Sequence, residues 1–265
     1  MNIELNAGNV KAAMREAAAV SSDLWKVPVD QIHVIEGFNV RSNAAEHKAH
    51  VGDLAESILS YGFYAHKPLA GYVALEDGKQ IIYLTDGHCR FEAVQLAISR
   101  GAEIYALPVV VSPKGTSLED LTVGLVMSNS GKPLTPYEVG IVCKRLMDFG
   151  WDEKQISKRL AMTMQRVGDL LALIGAQKAV RDLVIAGSVS ATQAIETLKR
   201  HGSGASEKLA AGVAKAKIVG KKKATKKHID GKPTCRAVVK ALLAWDATKD
   251  GDLSSIVAMA RESVA

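Results

Sequence analysis

Apolar positions change period along this chain, and the change divides it. Ile32 to Ile35 form a short strand-like run that enters the irregular segment Glu36 to Arg41. Val51, Leu54, Ala55, Ile58 and Leu59 then recur at helical spacing within 49–61, and Gly62 stands where a helix-ending glycine belongs. Leu69 to Leu75 and Gln80 to Leu84 flank Asp77-Gly78, the pattern of a β-hairpin. A helix is predicted over 88–100, directly after Thr85-Asp86-Gly87, and Ile104 to Val111 is a continuous β-branched run suited to a buried strand. Beyond Pro113 no strand pattern survives. Segments 117–128, 135–149, 152–160, 164–173, 177–186 and 190–200 read as short helices punctuated by Gly and Pro. The expected fold class is an α+β N-terminal domain, then an all-α domain, then a small helical C-terminal region, with the first boundary near 112–134.

The expected bounds are an N-terminal helical arm at 1–27 (its helix over 9–22), domains at 28–115 and 116–203, a basic linker at 204–234 and a helical region at 235–265. The linker follows from the lysine-rich, apolar-poor stretch 214–234. The last region holds two amphipathic segments, 235–246 and 252–263. Their apolar residues are too few to bury a face alone, so packing on a partner copy or on the rest of the chain is expected.

Composition narrows the class. Of 265 residues, 48% are hydrophobic but only 5% aromatic, a mix that favours helices packed by small aliphatic side chains over a β-sandwich. No stretch approaches the length of a membrane span, and the N-terminus lacks a signal-peptide layout. Cys89, Cys143 and Cys235 show no paired spacing, which argues against a zinc ribbon or disulfide framework and points to a reducing cytoplasm. Cys143 reads as core and Cys235 as a free surface thiol. The net charge of +6 is uneven: residues 1–143 carry 11 basic and 16 acidic groups, 144–203 carry 10 and 6, and 204–265 carry 13 and 6. A positive rear suggests a polyanion as partner, the alternative being an ordinary solvated surface.

Residues 152–173 then suggest which polyanion. Ile156 and Leu160 face a core from a first helix, and Ala161 opens a turn where only a small side chain fits. Thr163 is suited to cap the second helix, and Val167, Leu170 and Leu171 anchor it. This is the spacing of a helix-turn-helix, whose second helix enters the major groove; the alternative is an ordinary helical hairpin. Thr163, Met164, Gln165, Arg166 and Asp169 stand at the exposed start of that helix; Gln and Arg can read adenine or guanine edges. Lys154, Lys158 and Arg159 are placed for phosphates.

A second junction carries weaker chemistry. Gly87 between a strand and a helix lets backbone N–H groups point at an anion, and Arg90 adds a planar donor set. The alternative is a purely structural junction with Asp86 as the helix cap. His88-Cys89 invites two further readings, a metal site or a thiol with its base, with His66 as a distant partner.

In order, these segments resemble the ParB family of chromosome and plasmid partition, within the wider ParB/sulfiredoxin-like superfamily. Phe38-Asn39-Val40-Arg41 is similar to the family's Gln-Pro-Arg segment. Leu54 to Leu69 resembles its Leu-x-x-Ser-Ile segment, with two extra residues after Gly62. Gly87 to Ala93 resembles its Gly-Glu-Arg-Arg box, and Asn129 with Leu134 to Glu138 its Glu-Asn and Leu-x-Pro-x-Glu stretch. Leu183 to Ala194 resembles the helices after the helix-turn-helix. The resemblance implies a nucleotide-binding ParB/sulfiredoxin-like domain at 28–115 and a DNA-binding domain at 116–203. It implies a homodimer on a palindromic double-stranded DNA site, a ParA-like ATPase partner, and CTP with Mg2+ as cofactors. Gly87, His88, Cys89 and Arg90 would cradle the triphosphate, with Arg41 and Asn129 in support, Asn129 toward Mg2+ and Arg90 as the catalytic cation of a weak CTPase. The chain departs from the pattern at His88 (Glu), Cys89 (Arg), Ser128 (Glu) and Lys132 (Arg), as in a diverged plasmid- or phage-type member; the lost charges weaken triphosphate binding and hydrolysis. The function expected is sequence-specific DNA binding in partition or transcription control. The alternatives are a nuclease or phosphotransferase using the front pocket, and a phage adaptor that only binds protein.

Overall fold

The computed structural model describes residues 24–41, 45–128 and 133–231. Helix 9–22, Asn129, Lys132, Cys235 and the segments 235–246 and 252–263 lie outside the described residues. Contacts divide the chain into two units: Ala49–Ser117 with the residues up to Asn39, and Val40–Lys48 with the residues from Leu118 on.

Among the described residues, the first unit is a mixed five-stranded sheet with two helices. Its strands are β1 (Leu24–Pro28), β2 (Ile32–Val34), β3 (Leu69–Glu76), β4 (Lys79–Asp86) and β5 (Ala106–Val111), in the spatial order β1-β5-β3-β4-β2. β1 pairs antiparallel with β5, β5 parallel with β3, β3 antiparallel with β4, and β4 parallel with β2. β3 and β4 form the expected hairpin, with Asp77 (φ +49°) and Gly78 (φ +77°) in the left-handed pair that a two-residue turn requires. Two helices, α1 (Ala45–Tyr61) and α2 (His88–Ser99), supply Val51, Ala55 and Ile58, and Phe91, Val94 and Ala97, to a core shared with Leu69, Leu84, Leu107 and Val109. The spacing of those positions by three and four puts each trio on one face. β1 is an addition: residues 24–27, expected within a helical arm, are extended and pair with β5 from Leu24↔Val110 to Pro28↔Ala106.

The second unit is helical among the described residues: α3 (Leu118–Met127), α4 (Pro136–Asp148), α5 (Glu153–Arg159), α6 (Met164–Ile174), α7 (Lys178–Ile185), α8 (Ala191–His201), α9 (Ala205–Ile218) and α10 (Lys226–Asp230). Short polar residues set several of the starts. Thr135 and Asp152 form capping boxes with Glu138 and Gln155, and Thr163 and Ser190 accept from the backbone N–H groups of Arg166 and Gln193. Leu146, Ile156, Val167, Leu170 and Leu173 are fully buried. α4 and α6 cross closely at Gly140, where a Cβ would lie 2.8 Å from Ile174 Cγ1 and 3.1 Å from Leu170 O. Cys143 lies in this core as expected, and burial pushes its thiol up to about 11, so it is inert at neutral pH.

The expected linker at 204–234 is corrected here, because its described part is folded. Leu209, Val213 and Ala216 of α9 are buried against Ile229 of α10, and a Cβ on Gly212 would lie 2.5 Å from Ile229 Cγ1. Ala224 bridges Val189, its N–H donating to Ser188 O at 2.8 Å, and Arg200 pairs with Asp230 at 2.8 Å. The lysines ride on the outside of a structure held by alanine, valine and isoleucine.

Candidate functional site

In the second unit, α5 and α6 meet through the turn 160–163. Ile156, Leu160, Val167 and Leu170 are buried, as their spacing requires. Ala161 is exposed, which corrects the expectation of a tight crossing there; what it supplies is a backbone at φ +52°. An L-residue in that region costs about 1–2 kcal/mol, whereas glycine adopts it freely. Ala161→Gly is therefore expected to raise unfolding stability by about 0.5–1 kcal/mol, after subtracting the extra unfolded-chain entropy of glycine. The denaturant midpoint at constant slope measures it.

Thr163 Oγ1 accepts from the Arg166 N–H at 3.1 Å and starts α6. Met164 and Gln165 are exposed, whereas Arg166 and Asp169 are half-buried. Asp169, expected at an exposed position, is half-buried instead. Its Oδ1 accepts from Gln165 Nε2 at 2.8 Å and pairs with Lys199 Nζ of α8 at 2.6 Å. The Lys199 hydrogen bond, joined by that from Gln165, holds its carboxyl below the usual range. Lys154, Lys158 and Arg159 are exposed on α5, and Arg159 pairs with Asp120 at 2.7 Å.

The glycine junction belongs to the first unit. Gly87 itself caps α2 at φ +92°, and a Cβ there would lie 2.5 Å from Leu69 Cδ2. Asp86, expected as the cap, is instead the last residue of β4 and pairs with Arg90 at 3.4 Å. Arg90 Nη1 donates to Lys67 O and, at 2.8 Å, to Pro68 O, so its guanidinium ties α2 to the segment before β3. Cys89 is half-buried against the sheet core. His88 is 7% exposed, its ring tilted 6.1 Å from that of Phe38, and its Nε2 is buried with no hydrogen-bond partner among the described residues.

Burial lowers the His88 pKa below its ordinary 6.5, against an opposite pull from Asp86 and Glu92. The unfolded chain therefore takes up the proton first. Stability from a neutral His88 is full above pH 6.5 and is lost as pH falls below it. His88→Leu is expected to flatten the fall in melting temperature between about pH 7 and pH 5.5, read by thermal melts across that range.

Arg41 lies in the other unit. Its Nη1 donates to Pro133 O at 2.9 Å and stands 3.7 Å from Glu138 Oε2, where it neutralises the buried carboxylate that closes the α4 capping box. Among the described residues no cluster of three or more His, Cys, Asp or Glu is placed to hold a metal, and no helix is long and apolar enough to cross a membrane. Sequence reasoning missed Lys199; its only signal was the basic charge of α8.

No family model matches the chain, and neither does any curated protein. The chain is similar to the solved C-terminally truncated chromosome-partitioning protein ParB from Caulobacter crescentus complexed to the centromeric parS site, with 15% identity over 72% of this chain and 91% of that one and a TM-score of 0.46. It is also similar to the C-terminally truncated ParB of the same organism complexed with CTP-gamma-S, with 18% identity over 75% and 99% and a TM-score of 0.31.

Proposed function

We propose that this chain is a ParB-like, sequence-specific binder of double-stranded DNA, using α5, the Ala161 turn and α6, and acting in plasmid or phage DNA partition or in transcription control. The observation that carries this reading is the capped, buried-anchored α5–turn–α6 pair, with Met164 and Gln165 exposed at the start of α6 and Lys154 and Lys158 exposed on α5. A helix presented by its N-terminal residues reads base edges, and flanking lysines set its register on phosphates. A palindromic site read by a homodimer, and a ParA-like ATPase as partner, come from the sequence resemblance.

The test is binding of the full chain to a randomised duplex library at low salt, followed by sequencing. An enriched motif with inverted repeats supports the reading, and uniform recovery refutes it.

CTP with magnesium enters only through that resemblance, and the described residues fit it poorly. The first turn of α2 offers the amides an anion needs. Burial disfavours the charged form of His88, Cys89 replaces a cation, and Arg90 is engaged by two carbonyls and Asp86. Arg90 has a structural part, tying α2 to the segment before β3.

A further inference from the structure

We infer that Gln165 selects adenine at one position of each half-site, because Asp169, held by Lys199, fixes the orientation of its amide. This rests on the helix-turn-helix reading above and adds the base that the helix specifies.

Gln165 and Asp169 are four residues apart on α6, so their side chains lie on one face of its first turns. Asp169 Oδ1 accepts one Nε2 hydrogen of Gln165 at 2.8 Å and a hydrogen of Lys199 Nζ at 2.6 Å. An ionised carboxylate only accepts, so the amide nitrogen, not the amide oxygen, must face it. Two charge-assisted bonds to one oxygen set that direction from both sides. Lys199 comes from α8, and so anchors the carboxylate to an element outside the reading helix. The pair is half exposed at its lysine end and adds little stability. Its effect is on orientation.

One nitrogen hydrogen is thereby spent. What Gln165 has left to offer is one donor and one acceptor. Adenine presents the complement on its major-groove edge, N7 as acceptor and the N6 amine as donor. Guanine presents two acceptors, N7 and O6, and would set O6 against the amide oxygen. A free glutamine can turn both of its hydrogens toward guanine; Gln165 can do so only by abandoning Asp169.

The experiment is selection of duplexes from a randomised library by the full chain, run in parallel for wild type, Gln165→Ala, Asp169→Ala and Lys199→Met, with thermal melts recorded for each. Wild type is expected to favour adenine over guanine at one half-site position by about tenfold or more. Gln165→Ala levels that position and leaves the others. Asp169→Ala shifts the same position toward guanine, and Lys199→Met shifts it in the same direction, which serves if Asp169→Ala melts early. A merely structural role for Asp169 would weaken binding at all positions without moving this ratio. An enriched motif in which no adenine depends on Gln165, or a ratio unmoved in both Asp169→Ala and Lys199→Met, overturns the inference alone. Failure of wild type to enrich any duplex overturns the helix-turn-helix reading as well.

Discussion

Leu170→Ala is expected to destabilise the helical unit by about 2–5 kcal/mol. Leu170 is fully buried in α6, beside Val167 and Leu173, and its backbone oxygen lies where α4 crosses at Gly140. Truncation removes the transfer term of the lost carbons and leaves a hole that this crossing cannot close, because Gly140 already brings the two helices to contact. A loss of that size is a large share of the roughly 5–15 kcal/mol that separates folded from unfolded domains. Leu170→Met, which keeps the volume, is expected to cost under about 1.5 kcal/mol. Urea titrations of both variants decide the matter; equal losses would mean that side-chain volume at Leu170 is not what holds α4 to α6. On the proposed DNA-binding reading, the alanine variant still binds duplex below its melting range, since Leu170 is fully buried.

The second large effect is electrostatic. Replacing Lys154 and Lys158 together by alanine is expected to weaken binding to every duplex alike, by roughly tenfold or more at moderate salt. The slope of log affinity against log salt should become shallower by about two per protein copy, one unit for each lost phosphate contact. Both side chains are exposed on α5, whereas Arg159 beside them already holds Asp120 at 2.7 Å. Arg159→Ala is accordingly expected to change the slope less than either lysine. Fluorescence anisotropy across a salt series measures all three. A double variant with an unchanged slope would remove α5 from the proposed interface.

Local pattern anticipated most of the elements, and where it failed the cause is visible. The helices from α3 to α8 begin and end within a residue or two of their predicted bounds, since Thr135, Asp152, Thr163 and Ser190 announce their starts through local hydrogen bonds. β1 escaped notice because Leu24 to Pro28 is five residues, too short to show alternation, and becomes a strand only by pairing with β5 across the chain. The 204–234 segment misled for a different reason. Its lysines are conspicuous, whereas the residues that fold it, Leu209, Val213, Ala216 and Ile229, are sparse and meet only in three dimensions.

The candidate site divides in the same way. Residue type anticipated Thr163 as the cap of α6 and the exposure of Gln165, Lys154 and Lys158. Nothing in residue type says that Arg90 spends its guanidinium on the carbonyls of Lys67 and Pro68, that Arg41 serves Glu138, or that Asp169 is claimed by Lys199. Each of those partners is distant in sequence, and each changes what the side chain has left to give.

The two borders of the sheet have a consequence for life at high concentration. At one border β2 is only three residues long; at the other, β1 exposes Lys26 at its middle and finishes in Pro28, which has no N–H to donate. A neighbouring molecule that tried to extend the sheet would find too few open backbone groups on one side and a charge and a missing donor on the other. Among the described residues, both borders of the sheet are therefore poor templates for strand-by-strand extension by a neighbour.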